Sequence, residues 1–260
     1  MGQALANVTS LPVRVILRTV WNDLGEVWVR LRRQSIVALS IVLLFEIVGA
    51  IPEISGNRLL SESFNLMCKL ATLPLEIAIF RLLILDEAEP GYPFAMSTAR
   101  FQRMLGWTVG LWAVTTVPSY VVEAVPSSTT AAAVIPVAMV VIALVVLIRL
   151  SLLLPAIAVD APGASVGNSV ADTKGHAWMI VKPYLTIVVV FVLIVMTAAA
   201  LAGLIGLRGA SGSFAKGSLA SSVFIGVIAF VALCAGTIVA ARLFMSLGAR
   251  LKGVAAAAPA

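Results

Sequence analysis

Apolar side chains set the pattern of this chain from its first structured stretch. Between Pro12 and Arg33 they recur at alternating spacings of four and three, at Val13, Leu17, Val20, Leu24, Val27 and Leu31, which is one face of an α-helix. Trp21 and Trp28 lie seven apart on that side, whereas Arg14, Arg18, Glu26, Arg30 and Arg33 lie largely elsewhere. Ser10 supplies an N-cap and Pro12 a first-turn proline. The spacing predicts an amphipathic helix. Either it lies in the cytoplasmic membrane interface with its tryptophans at headgroup depth, or it packs on a helical bundle.

After Arg33 the periodicity gives way to long apolar runs, at about 35–52, 62–85, 104–122, 132–159, 179–205 and 219–247. Each is long enough to cross a hydrocarbon core of about 30 Å. The third is short and holds Pro118 near its end. The last two are rich in Ala, Gly and Ser, including Gly203, Gly206, Gly226 and Gly236, which lets helix backbones approach closely. The expectation is an all-α, polytopic membrane bundle of six transmembrane helices with amphipathic interfacial helices. Its parts are an interfacial helix over 1–34, a membrane domain over 35–250 and a disordered tail over 251–260.

Composition agrees. The chain is 61% hydrophobic and 12% charged, with a mean hydropathy of +1.07, where a soluble domain carries about 25% charged residues. Six spans would use roughly half of its length. The net charge of +6 fits loops facing anionic headgroups better than nucleic acid, which is not an expected partner. Eleven basic residues (Arg14, Arg18, Arg30, Arg32, Arg33, Arg100, Arg103, Lys174, Lys182, Arg250 and Lys252) fall in segments on one side of the expected bundle. Only Arg58, Arg208 and Lys216 fall on the other. That bias places both termini in the cytoplasm. No cleavable signal is expected, because the first ten residues are free of basic side chains. The opening Met1-Gly2-Gln3 lacks the Ser or Thr that myristoylation wants at the position of Ala6. Cys68 and Cys234 both lie in apolar runs and read as packing residues.

The even-numbered runs end alike, in Ile79-Phe80-Arg81-Leu82-Leu83, Leu147-Ile148-Arg149-Leu150-Ser151 and Ala240-Ala241-Arg242-Leu243-Phe244. After the first two comes a similar passage, with Asp86, Pro90, Gly91, Ser97, Arg103 and Trp107 in one copy and Asp160, Pro162, Gly163, Ser169, Lys174 and Trp178 in the other. This suggests a three-fold repeat of an interfacial helix followed by a helical hairpin.

Charges inside apolar runs need a reason, since each costs roughly 2.5–3.5 kcal/mol at the bilayer centre. Arg81 and Arg242 are close enough to the expected cytoplasmic ends to snorkel. Arg149 lies ten residues short of Val159. Either it is deep and paired, or the helix breaks at Pro155 and the surface comes closer. Arg81, Arg149 and Arg242 are candidates to hold lipid phosphate or to form ion pairs. Glu46, Lys69 and Glu76 form a second set, in which Glu46 would pair with Lys69 or an arginine. The set reads either as a helix-registering pair or as an intramembrane polar pathway.

Catalytic signatures are sparse. The single histidine, His176, has no second ligand at metal spacing, and P-loop, dinucleotide and nucleophile-elbow fingerprints are missing. Asp86, Glu87 and Glu89 beside Pro90-Gly91 read as a solvated turn rather than a divalent-metal site. The stretch from Ala171 through Gly175 to Pro183 only loosely echoes a permease coupling helix. No cofactor, metal site or catalytic residue is expected.

The passage Arg149-Leu150-Ser151-Leu152-Leu153-Leu154-Pro155-Ala156-Ile157-Ala158-Val159-Asp160, followed by Ser169 and Trp178, resembles a group of uncharacterised bacterial inner-membrane proteins related to the membrane domain of glycerophosphoryl diester phosphodiesterases. The resemblance is strongest over about 140–180. It implies a six-span membrane domain with interfacial helices in the bacterial inner membrane. It does not imply phosphodiesterase activity, which would need a separate soluble domain with metal-binding acids and histidines. The expected role is non-enzymatic organisation of membrane lipids or partner proteins, with a homo-oligomer open. The alternative is a transporter or channel component for a small molecule, ion or lipid.

Overall fold

The computed structural model describes residues 13–88, 92, 97–124, 131–204 and 219–253. Every element among them is helical: α1 (Val13–Arg30), α2 (Arg32–Gly49), α3 (Pro52–Ser55), α4 (Arg58–Leu85), α5 (Ala99–Ala124), α6 (Ala131–Leu150), α7 (Leu153–Ala158), α8 (Val166–Thr173), α9 (Ala177–Leu204) and α10 (Leu219–Leu247). The chain divides into two compact units. One comprises Met1–Phe94 with Val181–Val239, the other Ala95–Ile180 with Ala240–Ala260.

In the first unit, α1 follows the predicted stripe. Val20, Val27 and Leu31 are buried, and Leu24 is half-buried. Trp21 and Trp28 sit on the outer margin of that stripe and are exposed, while Asp23, off the apolar pattern, is buried. The expected Ser10 and Pro12 cap lies outside the described residues. One residue, Leu31, separates α1 from α2. Its N–H donates to the Val27 carbonyl and its own carbonyl accepts from Ser35, both at 2.8 Å, so the chain turns without losing helical hydrogen bonds.

The short α3 connects α2 to α4, whose start is capped by Asn57, the side chain accepting from the Leu60 N–H at 3.2 Å. The two long helices pack as a hairpin, with Phe45 and Phe64 edge to face at 5.8 Å. Every position from Thr72 to Phe80 is buried. That stretch therefore has neighbours all round rather than on one face. Gly226 of α10 lets the backbone come close to α2: a Cβ there would stand 2.8 Å from Leu43 Cδ2. Gly236 faces open space by comparison, so one of the two described close-approach glycines in α10 acts as expected.

In the second unit α5 packs on α6 and α7, and α8 packs on α6. The expected fourth run is bent. α6 stops at Leu150 and α7 starts at Leu153, because Pro155 has no N–H to donate four residues back and its ring crowds that turn. This is the second alternative weighed for Arg149, which sits in the last turn of α6.

Three described stretches are long and apolar enough to cross a membrane: Val134–Ala158, Ala177–Ala198 and Ser221–Leu247. They correspond to the fourth, fifth and sixth expected spans. Helices also form at the first three expected places, but α2 carries Arg32, Arg33 and Glu46, and α4 carries Arg58, Glu62, Lys69, Glu76 and Arg81. In α5 Thr, Gly and Pro dilute the apolar run.

Candidate functional site

The polar groups gather where helices end. Asp86 closes α4 in the left-handed conformation, φ 59°, which aspartate tolerates better than most residues. Its carboxylate accepts from Arg30, the last residue of α1, and its carbonyl accepts from Arg30 Nη2 at 3.3 Å. Arg30 also bonds Glu26 one turn back, at 3.3 Å. The hydrogen bond it donates to Asp86 is the main cause that raises the Arg30 pKa from its ordinary value, with burial opposing it. One turn before the helix end, Arg81 pairs with Glu87.

The second unit holds the same device. Asp160 follows α7 with φ 50°, and Arg100 at the start of α5 reaches it through Nε at 2.7 Å and through Nη2. Arginine and aspartate are 56 residues apart in the first pair and 60 in the second. The two passages matched in sequence by Asp86 and Asp160 therefore share backbone conformation and an arginine partner.

A further anchor was not signalled by any motif. Asp172, at the end of α8, accepts from the N–H groups of Arg250 at 3.0 Å and Leu251 at 3.1 Å. Ser169 is fully buried and donates to the Arg149 carbonyl at 2.7 Å. Gly163 lies so close to the C-terminal turn that a Cβ would stand 2.2 Å from the Arg250 carbonyl oxygen. Its N–H donates to Leu251 at 3.0 Å. Leu251 is buried, so the C-terminal turn through Gly253 is part of the folded unit. The rest of the expected tail lies outside the described residues. Lys252 donates to the Met245 carbonyl and lies over the Phe244 ring. Burial lowers its pKa from the ordinary value, with Asp172 opposing that shift.

The residues expected in ligand or ion contacts are distributed as follows. Arg81 is paired with Glu87. Arg149 is half-buried, and its Nη1, shut off from the surroundings, meets no acceptor among the described residues. Arg242 is half-buried. Glu46 is half-buried beside Gly226, Lys69 is exposed and Glu76 is buried. Arg81, Glu46, Lys69 and Glu76 belong to the first unit, Arg149 and Arg242 to the second. No ion pair joins Lys69 to Glu76 among the described residues. His176 is exposed, its Nδ1 3.0 Å from the Lys174 carbonyl. Cys68 and Cys234 are free thiols, the first half-buried and the second buried.

The first unit also encloses an apolar groove of about 360 Å³ between α1, α2 and α10, lined by Leu24, Trp28, Leu39, Phe230 and Cys234 among others. Among the described residues one polar side chain, Ser35, reaches its wall. No sequence pattern pointed to it, because its walls come from segments some 200 residues apart.

Residues 104–252, from α5 to the C-terminal turn, match the family model for the membrane domain of glycerophosphoryl diester phosphodiesterase. The chain belongs to that family. Membership makes it an integral membrane protein and agrees with the three apolar helices, all of which lie inside the matched residues. The resemblance carried by Arg149 to Asp160, Ser169 and Trp178 falls within the same match, as do Gly163, Asp172 and the C-terminal turn that they hold. The passage from α1 to α4, with the groove-lining face of α1, precedes it. Neither a curated protein nor a solved structure matches this member of the family.

Proposed function

We propose that the chain is a non-enzymatic inner-membrane domain that organises lipids or partner proteins from within a bacterial bilayer. Six helices cross, both termini are cytoplasmic, and α1 lies at the cytoplasmic interface. One observation carries this reading. Paired charged groups hold helix ends, through Arg30–Asp86, Arg81–Glu87, Arg100–Asp160 and the Asp172 anchor, while long apolar faces of α6 and α9 stay uncovered. Bare apolar helix faces in a bilayer are contact surfaces for acyl chains or for another membrane helix. The shared geometry of the two arginine–aspartate pairs supports a repeated unit of interfacial helix and hairpin.

The test is reconstitution of the full chain into vesicles of phosphatidylethanolamine and phosphatidylglycerol. The expected result is retention of anionic lipid through detergent washing, with no cleavage of an added glycerophosphodiester and no solute or ion flux. Turnover would replace this reading with catalysis. A transport reading is favoured by the buried Glu76, which has no ion pair among the described residues, and by the buried Arg149 Nη1. Flux lost in Glu76→Gln and Arg149→Gln would establish it instead.

A further inference from the structure

The groove between α1, α2 and α10 has a feature that plain apolar packing does not explain. Ser35 is 1% exposed, lines the groove, and its Oγ has no hydrogen-bond partner among the described residues. Serines inside helices can satisfy the hydroxyl by donating to the carbonyl four residues back. Ser40 and Ser63 do so here, at 2.9 and 2.7 Å, but Ser35 does not. A buried hydroxyl without a partner is costly, so its position calls for an acceptor in the groove.

The neighbours of Ser35 say which acceptor. Arg32, Ser35 and Leu39 are spaced by three and four, so they form one stripe on α2. Arg32 stands about 4.5 Å above Ser35 along the helix axis and Leu39 about 6 Å below. Arg32 and Arg33 are exposed at the α1–α2 junction. Reading down the stripe gives a cation, a hydroxyl donor and an apolar wall. A glycerophospholipid presents phosphate, ester carbonyl and acyl chain in that order.

We propose that this groove is a binding site for one acyl chain of an anionic phospholipid. Ser35 donates to the ester carbonyl, Arg32 and Arg33 face the phosphate, and the chain lies between Leu24, Trp28 and Phe230. Its volume of about 360 Å³ falls in the ordinary range for small-molecule sites. A peptide or a second helix fits less well. An inserted extended backbone would bring several N–H and C=O groups needing partners, and the groove offers one hydroxyl. A helix is too wide for it. The inference rests on the lipid-organising reading and makes it specific.

Gly25 lines the groove, and a Cβ there would meet nothing within 4 Å. Gly25→Leu therefore starts a side chain into the groove from a position with room for its Cβ and improves helix propensity, so a folded variant is expected. The full chain is placed in phosphatidylcholine nanodiscs doped with phosphatidylglycerol that carries a diazirine in one acyl chain. It is irradiated, and adducts are mapped by peptide mass spectrometry. Adducts concentrated on residues 21–39 and 227–234 and removed by Gly25→Leu are the expected result. Ser35→Ala should weaken labelling about fivefold, the worth of one hydrogen bond. Arg32→Gln should erase the preference over a phosphatidylcholine probe of the same chain. Labelling spread evenly over α6 and α9 and insensitive to Gly25→Leu overturns the groove site. If anionic lipid still co-purifies in that case, the lipid-organising reading stands; if it does not, both fall.

Discussion

The nine positions of α4 from Thr72 to Phe80 and the helix α6 invert the usual relation between hydrophobicity and burial. The α4 stretch includes Thr72, Pro74 and Glu76, yet all of it is buried. α6 carries one charged side chain in twenty residues. Even so, the most apolar part of the stretch from Val134 to Ala158 is only 11% buried, against 17% for that of α9 and 44% for that of α10. In water the most apolar segment would be the core. In a bilayer the solvent is itself apolar, so hydropathy identifies the surface that lipid wets. The interior is then chosen by shape and by the need to hide polar groups. Within its own unit α4 is packed all round from Thr72 to Phe80, whereas in the other unit no position of α6 from Val134 to Leu147, all of them uncharged, is buried.

The strongest test of this contrast is a pair of truncations. Phe80 is 2% exposed and Val140 is 64% exposed. Phe80→Ala should destabilise the chain by about 3–5 kcal/mol, as expected for an emptied aromatic core site. Val140→Ala should stay within about 0.5 kcal/mol, although it lies in the more hydrophobic helix. Both are read by unfolding in mixed micelles with rising SDS. Equal losses would mean that α6 is covered by a partner in the assembled state.

Gly163 tests the second unit in the same way. Its missing side chain makes room for the C-terminal turn, and Gly163→Ala would drive a methyl group into the Arg250 carbonyl. Overpacking of this kind typically costs about 1–3 kcal/mol. The variant should also expose the chain near Leu251 to carboxypeptidase digestion. Unchanged stability and resistance would show that the turn can move away from α8 freely.

Much of this architecture was readable from spacing alone. The four-three pattern located the buried face of α1, and the apolar runs placed α2, α4, α9 and α10 to within a few residues, began α5 five residues late and ran α6 and α7 together as one span. Within the matched passages, Asp86 and Asp160 share a positive φ and an arginine partner. Their partners could not be read, because Arg30 and Arg100 are chosen by how helices dock, and nothing local records that. The groove and the Asp172 anchor were illegible for the same reason; Asp172 reaches across 78 residues to Arg250. Lys69 and Glu76 show where periodicity misleads. A spacing of seven puts them on one side of α4, yet Lys69 is exposed and Glu76 buried, since the surroundings of α4 change along its length.

The two arginine–aspartate pairs give the finest comparison and the smallest expected effect. If packing in the interior holds each unit together, these pairs only trim the helix ends. Asparagine tolerates positive φ as aspartate does, so Asp160→Asn removes the charge without straining the backbone. It should lower stability by about 0.2–1 kcal/mol, the range for ion pairs open to solvent. Asp86→Asn should cost less, because the Asp86 side chain is 81% exposed against 53% for Asp160. Both effects should shrink as salt is raised. Asp160→Val should be worse than Asp160→Asn at every ionic strength, since a β-branched residue resists φ near 50°. A loss in Asp86→Asn larger than that in Asp160→Asn would reverse the ranking, and it would mean that the end of α4 is held by its arginine rather than by the packing of Thr72 to Phe80.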